Sequence, residues 1–117
     1  MPHVVIENAP ELAAVFRGLV PFAERTDEQI LRLADLYLNG AGRAALLECV
    51  VIDKGVAVSF FALLAQRENQ ITVRLCPLTD PEKTEGVKRL LALIAVRVRY
   101  LVPASHFGKT NLQDYLP

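Results

Sequence analysis

The chain has few of the residues that mark several common classes of protein. It has no tryptophan, one methionine, two cysteines and two histidines among 117 residues. Cys49 and Cys76 lie in apolar segments without the close spacing of metal ligands, which indicates buried thiols in a reducing compartment. With only His3 and His106 available, a histidine-rich metal site is disfavoured. No metal or other cofactor is predicted.

Charge of one sign and long hydrophobic runs are also lacking. Thirteen basic and 13 acidic residues cancel, so we expect neither nucleic acid nor an anionic membrane as a partner. The longest apolar run, Val56 to Ala65, contains a serine and is too short to span a bilayer. The first residues lack the basic and apolar regions of a signal peptide. These features predict a cytoplasmic protein.

The composition is that of a folded chain, with 52% hydrophobic and 22% charged residues. Its length predicts one domain over residues 1–117. The patterns predict the element order β-α-α-β-β-β-α-β and therefore an α+β fold with helices packed on one face of the sheet. The bare face of such a sheet would need a partner subunit.

Three helices are predicted from apolar residues at helical spacing and from capping residues. Asn8 and Pro10 open the first helix. A capping box at 26–29 opens the second, which ends at the glycines of 40–42, and another at 79–82 opens the third. Their predicted buried stripes are Leu12, Val15, Phe16 and Leu19; Ile30, Leu33, Ala34 and Tyr37; and Val87, Leu90, Leu91 and Ile94.

Strands are predicted where β-branched residues or alternation dominate. Val4 and Ile6 face one side of the first strand. A turn at Asp53-Lys54-Gly55 joins two long strands. The tail after Pro103 is predicted to be irregular. The remaining predicted strands are 44–52, 56–65, 71–78 and 96–102.

Pro2 follows the initial methionine directly, an arrangement that favours removal of Met1 by an aminopeptidase. A mature chain that begins with Pro2 would carry a secondary amine instead of an amide. A free α-amino group titrates near ~7.7–8, and an apolar site with a nearby cation would lower that pKa further. Such a group suits general acid–base catalysis near neutral pH. The alternative is that Pro2 is simply a common second residue.

Three features together resemble the 5-carboxymethyl-2-hydroxymuconate isomerases, enzymes of aromatic catabolism in the tautomerase superfamily. The chain opens with Pro2-His3 before a short apolar strand. Arg43 follows Gly40-Ala41-Gly42 where the helical region gives way to a long strand. The tail reads Phe107-Gly108-Lys109-Thr110-Asn111-Leu112, similar to the end of these enzymes.

The resemblance implies tautomerase-like β-α-β units in a mixed sheet and a homotrimer with an active site near each Pro2. The implied reaction is enol–keto conversion of a small unsaturated 2-hydroxy (di)carboxylic acid, with Pro2 as the acid–base. Arginines would hold the substrate carboxylates, which suits their planar fork. Arg43, Arg74 and His3 are the candidate substrate-binding residues.

One departure leaves alternatives open. The family's second arginine is missing, since the segment at 76–81 reads Cys-Pro-Leu-Thr-Asp-Pro. Lys83 or Arg74 would have to substitute for it, and lysine lacks the planar fork. A non-catalytic trimeric module, or another reaction of the superfamily, is therefore also possible. Arg43 as a helix-end cation and His3 as an ordinary strand residue are the plain alternatives.

Overall fold

In the computed structural model, which describes residues 1–117, a seven-stranded sheet carries two helices on one face. This confirms the α+β class and the placement of the helices. The elements in chain order are β1 (His3–Glu7), α1 (Leu12–Gly18), β2 (Phe22–Arg25), β3 (Gln29–Leu38), β4 (Ala44–Asp53), β5 (Val56–Arg67), β6 (Gln70–Leu75), α2 (Glu85–Leu101), β7 (His106–Thr110) and a 3-10 turn (Gln113–Tyr115).

The sheet has the order β2-β3-β4-β5-β6-β1-β7, and every neighbouring pair is antiparallel. The predicted mixed sheet is therefore wrong. Tight hairpins impose the antiparallel pairing of β2 to β6. The predicted turn at residues 53–55 is one of them, with Lys54 and Gly55 at φ of 52° and 82°, which suits a two-residue hairpin. β1 lies between β6 and β7, so both ends of the chain meet in the sheet.

The core lies between the sheet and the helices. Alternate residues of each central strand face the helices and are buried, as the period of a strand requires. The predicted stripe of α2 is buried in full and extends to Val98. Neither helix has the length and apolarity needed to cross a membrane. The largest buried side chains include Ile6, Leu12, Leu33, Leu47, Leu64, Leu90 and Ile94.

The second predicted helix is wrong, because this part of the chain forms the hairpin of β2 and β3. Thr26 and Gln29 do make a capping-type bond, from the Gln29 N–H to the Thr26 hydroxyl at 3.1 Å, but it closes the hairpin turn. Leu31 and Leu33 are the buried residues. A bulge after Leu33 shifts by one residue the alternation of buried and exposed side chains along β3. As a result, the apolar residues of this strand also recur at helical spacing.

The predicted start of the third helix and the strand predicted after it are also wrong. Thr84, not Thr79, caps α2 by accepting the Val87 N–H at 3.3 Å. Residues 96–102 continue the helix to Leu101 because Val98 extends its buried stripe. The β-branched valines of this segment are tolerated in the helix, since tertiary packing outweighs their modestly unfavourable helix propensity.

Both ends of the chain differ from prediction as well. α1 begins at Leu12 instead of near Asn8, which adopts a positive φ of 59° and donates from Nδ2 to the Ala104 carbonyl at 3.0 Å. The tail is not irregular, because β7 extends the sheet beside β1. Pairing with a distant strand creates β7, and a local pattern cannot reveal it.

Candidate functional site

Pro2 is buried and comes immediately before β1, at the end of the sheet where β6 ends. The start of a strand tolerates proline because no ladder hydrogen bond needs its missing N–H. Met1, in contrast, is 67% exposed. The alternation along β1 places Pro2 on the same side as Val4 and Ile6, facing the helices. The buried Pro2 therefore directly follows an exposed residue.

Hydrogen bonds from the tail fix the segment around Pro2. Asn111 Oδ1 accepts the backbone N–H of His3 at 2.9 Å, and Asn111 Nδ2 donates to the Met1 carbonyl at 2.8 Å. The Thr110 hydroxyl donates to the His3 carbonyl at 2.7 Å. The Asn111 carboxamide therefore continues the ladder of β7 past its last residue. The opening and the tail, which carried the resemblance, lie side by side.

The Met1 carbonyl oxygen occupies a small polar site beside the Pro2 nitrogen. Besides Asn111 Nδ2, the ring nitrogen Nδ1 of His3 lies 3.0 Å from this oxygen. In the tautomer that protonates Nδ1, both groups donate to it. Two donors that converge on one oxygen form the arrangement that stabilises developing negative charge on oxygen. Here the oxygen belongs to the chain's own first peptide group.

His3 and Arg74 are direct partners across β1 and β6. Both side chains lie on the face of the sheet opposite the helices, which we call the open face. Arg74 is half-buried and takes part in no ion pair. The two candidate substrate residues therefore adjoin each other one residue beyond Pro2, although the Pro2 ring lies on the other face.

The structure does not bring Arg43 to this site within one chain. Arg43 is exposed in the β3–β4 turn, and its Nη2 donates to the Gln66 carbonyl at 3.4 Å. Three strand spacings, about 14 Å, separate β4 from β1, and about 13 Å along the strands separates the level of Arg43 from Pro2. An encounter of Arg43 with Pro2 would require a second chain.

Residues 76–81, where the resemblance leads us to expect an arginine, lie at the same end of the sheet as Pro2. The Thr79 hydroxyl fixes this segment by accepting the Phe61 N–H at 3.3 Å and donating to the Cys76 carbonyl at 3.2 Å. Lys83 is bound to Asp80, and this bond lowers the pKa of the Asp80 carboxyl. The Lys83 charge is therefore already partnered.

Two groups of polar residues were not identified from the sequence. Asp35 and Glu48 are cross-strand partners on the open face. Asp35 accepts the Tyr37 hydroxyl at 3.2 Å, and the charges of Asp35 and Glu48 raise the pKa of Tyr37. Gln66, which comes just after the strand predicted for 56–65, is 8% exposed and binds the start of α1. The pair of Asp35 and Glu48 was missed because the segment of Asp35 was predicted to be a helix. Gln66 was missed because only tertiary contacts reveal its role.

Comparison of the chain with family models, with curated proteins and with solved structures gives no significant match.

Proposed function

We propose that the protein is an enol–keto tautomerase that uses Pro2 as its acid–base, once Met1 has been removed. The observation that carries the proposal is the two-donor site around the Met1 carbonyl oxygen. Removal of Met1 would free Asn111 Nδ2 and His3 Nδ1 at the same step that turns Pro2 into an amine. A substrate oxygen could then take the place of the peptide oxygen, next to the base.

The chemistry follows from this placement. The Pro2 amine takes the proton from the enol hydroxyl and delivers it to a carbon of the conjugated system, so the reaction loses and gains no atom. The Asn111 and His3 donors stabilise the negative charge that develops on the oxygen. Burial of Pro2 disfavours its charged form and so keeps the amine available as a base. No cofactor is needed.

The substrate class is a small unsaturated 2-hydroxy carboxylic acid. Arg74, which has no ionic partner of its own, is the nearest candidate for the carboxylate, which would reach the open face around the end of β1, where Pro2 lies. Arg43 would contribute only from a neighbouring subunit, which the homotrimer of the resemblance would supply. Tautomerase-like β-α-β units and a cytoplasmic location belong to this proposal. The free thiols of Cys49 and Cys76 suit a reducing compartment.

A direct test first establishes by mass spectrometry that Met1 is absent. The trimmed protein is then assayed for ketonization of 2-hydroxymuconate and of phenylenolpyruvate. Pro2→Ala is expected to lower kcat/KM at least ~100-fold, the range that a positioned acid–base contributes. A chain with one extra residue before Pro2 is the matched control and should be inactive. Equal rates in all three proteins would overturn the proposal.

The second candidate is a non-catalytic trimeric module with the same fold. The distance between Arg43 and Pro2, and the absence of an arginine at 76–81, are the observations that support this second candidate. It predicts an ordinary amino-terminal pKa for Pro2 in the trimmed chain. An NMR titration of labelled Pro2 separates the two candidates, since the enzyme requires a value below that of an exposed amino terminus.

A further inference from the structure

The turn that follows β6 lies next to Met1 and Pro2. His3 pairs with Arg74, and the antiparallel register then places Pro2 level with Leu75 and residue 1 level with residue 76. Neighbouring strands are about 4.8 Å apart, so residue 76 is close to the peptide group that removal of Met1 would vacate. Because β6 and β7 flank β1, the turn and the tail border this position from opposite sides.

This turn, residues 76–79, is apolar and exposed at its tip. The Thr79 N–H donates to the Cys76 carbonyl at 3.0 Å and closes the turn. Pro77 and Leu78 form the tip, and Leu78 is 94% exposed. Proline suits the second position of such a turn because its φ is already fixed. An apolar surface is therefore held in a defined place one strand from Pro2.

The residues that follow the tip have a negative net charge. Residues 76–83 contain two carboxylates, of Asp80 and Glu82, and one ammonium, of Lys83, which leaves a net charge of −1. Lys83 is bound to Asp80 and is not free to hold a carboxylate of a ligand. Lys109 lies in β7 on the other side of β1, about 10 Å from β6. A carboxylate that reached the turn would therefore meet like charge and a lysine that already has a partner.

From this arrangement we infer that the site selects a 2-hydroxy monocarboxylic acid whose distal part is uncharged and apolar, such as an aryl or alkyl group. Arg74 holds the carboxylate beside the enol, and Pro77 and Leu78 contact the distal part. Asp80 disfavours a second carboxylate there, a repulsive element of the kind that specific sites use. This inference rests on the proposed function, because it takes the position of the Met1 carbonyl as that of the substrate oxygen.

Two pairs of compounds test the preference in the Met1-trimmed protein. Phenylenolpyruvate and 2-hydroxymuconate carry one and two carboxylates. Cinnamate and muconate are their counterparts without the enol oxygen, so they bind without reacting. We expect kcat/KM to be at least ~10-fold higher for phenylenolpyruvate, and cinnamate to bind at least ~10-fold more tightly than muconate in isothermal titration calorimetry. This is the effect of about one interaction of a charged group.

Leu78→Arg tests the role of the turn. A guanidinium at the tip can hold a distal carboxylate in its planar fork, so kcat/KM for 2-hydroxymuconate should rise at least ~10-fold. The gain should lie in KM, since it adds binding and not catalysis, and kcat/KM for phenylenolpyruvate should not rise. The high exposure of Leu78 means that the substitution should not disturb folding.

Tyr100→Arg is the matched control, because it adds the same charge at a site that is 80% exposed. Tyr100 lies in the last turn of α2. Shortly after this turn, the Ala104 carbonyl accepts a hydrogen bond from Asn8, which follows the end of β1 that is distant from Pro2. The control should therefore leave the preference between the two substrates unchanged.

Several results would overturn the inference. Muconate that binds as well as cinnamate would do so, as would the absence of binding by both. A wild type that prefers 2-hydroxymuconate and loses this preference in Arg43→Ala would place the distal carboxylate on Arg43 of a neighbouring subunit. An equal gain in Leu78→Arg and Tyr100→Arg would show that total charge, and not the turn, selects the substrate.

Binding and turnover are scored separately, so that the two proposals can fail independently. Tight binding of cinnamate without any turnover would exclude catalysis by Pro2 and would confirm the preference of the site. Turnover of both substrates at equal kcat/KM would support the catalysis and exclude the preference.

Discussion

Asn111 and His3 are joined by a hydrogen bond of 2.9 Å from the His3 backbone N–H to Asn111 Oδ1, across a separation of 108 positions in the chain. The same carboxamide donates from Nδ2 to the Met1 carbonyl. The Asn111 carboxamide therefore both positions the first strand, through Oδ1, and supplies a hydrogen-bond donor beside Pro2, through Nδ2. A substitution that changes only one of these two atoms separates the two roles.

Asn111→Asp keeps the acceptor for His3 and removes the donor. In the Met1-trimmed protein we expect kcat/KM to fall ~100-fold, the usual loss for one oxyanion donor. Thr110→Val is the matched control, since it removes a hydrogen bond to the same His3 residue without altering the donor. Steady-state assays of both variants check this. A similar loss in both would mean that the tail only supports the strand.

Gln66→Leu should strongly destabilise the fold. Gln66 accepts the Leu12 N–H at 2.7 Å and donates to the carbonyls of Ala9 and Gln70 at 2.9 and 3.0 Å. Leucine of similar size leaves these buried groups without a partner, at about 1–3 kcal/mol each. We expect a loss of about 3 kcal/mol in the free energy of unfolding, measured by urea titration.

The exposed Gln113→Leu is the control for this substitution and should change the free energy of unfolding by less than ~0.5 kcal/mol. Equal effects of the two substitutions would show that the Gln66 side chain does not stabilise the start of α1.

The sequence predicted the centre of the fold better than its flanks. The hairpin of β4 and β5 follows from β-branched residues on either side of Asp53-Lys54-Gly55, a local signal that the structure confirms. β3 was mistaken for a helix because the bulge after Leu33 breaks its alternation. Only the pairing of this segment with β4 shows that it is a strand and not a helix.

The candidate site was predictable only in part. Pro2 stands out because of its position, and Asn111 belongs to the tail segment that carries the resemblance. The oxygen site between His3 and Asn111 depends on β7 lying beside β1, which no local pattern encodes. The acidic pair of Asp35 and Glu48 depends on the register of β3 against β4. Sequence patterns can therefore single out candidate residues, but which of them lie close together depends on the pairing of strands that are distant in the sequence.

Gly86 should tolerate no side chain. A Cβ at this position would lie 2.5 Å from Val51 Cγ1, and the Gly86 N–H donates to Asp53 Oδ2 at 3.0 Å, which fixes the first turn of α2 against β4. Gly86→Ala is expected to cost about 2 kcal/mol through this overpacking. Thermal unfolding of the variant checks the expectation.

Gly40→Ala is the matched control, because a Cβ there meets nothing within 4 Å. It should leave the melting temperature almost unchanged. An unchanged melting temperature for Gly86→Ala as well would mean that α2 shifts easily away from the sheet.

Cys49 should make the fold sensitive to high pH. Burial raises the pKa of its thiol from 9.0 to about 12. Between these values the unfolded chain releases the proton and the folded chain keeps it, so the stability present below pH 9 is lost as the pH rises toward 12. We expect a loss of about 1 kcal/mol between pH 9 and pH 10 that is absent in Cys49→Ala. Urea titrations of both proteins at the two pH values cancel the effects of other groups, and identical pH dependence would show that the thiol already ionises in the folded chain.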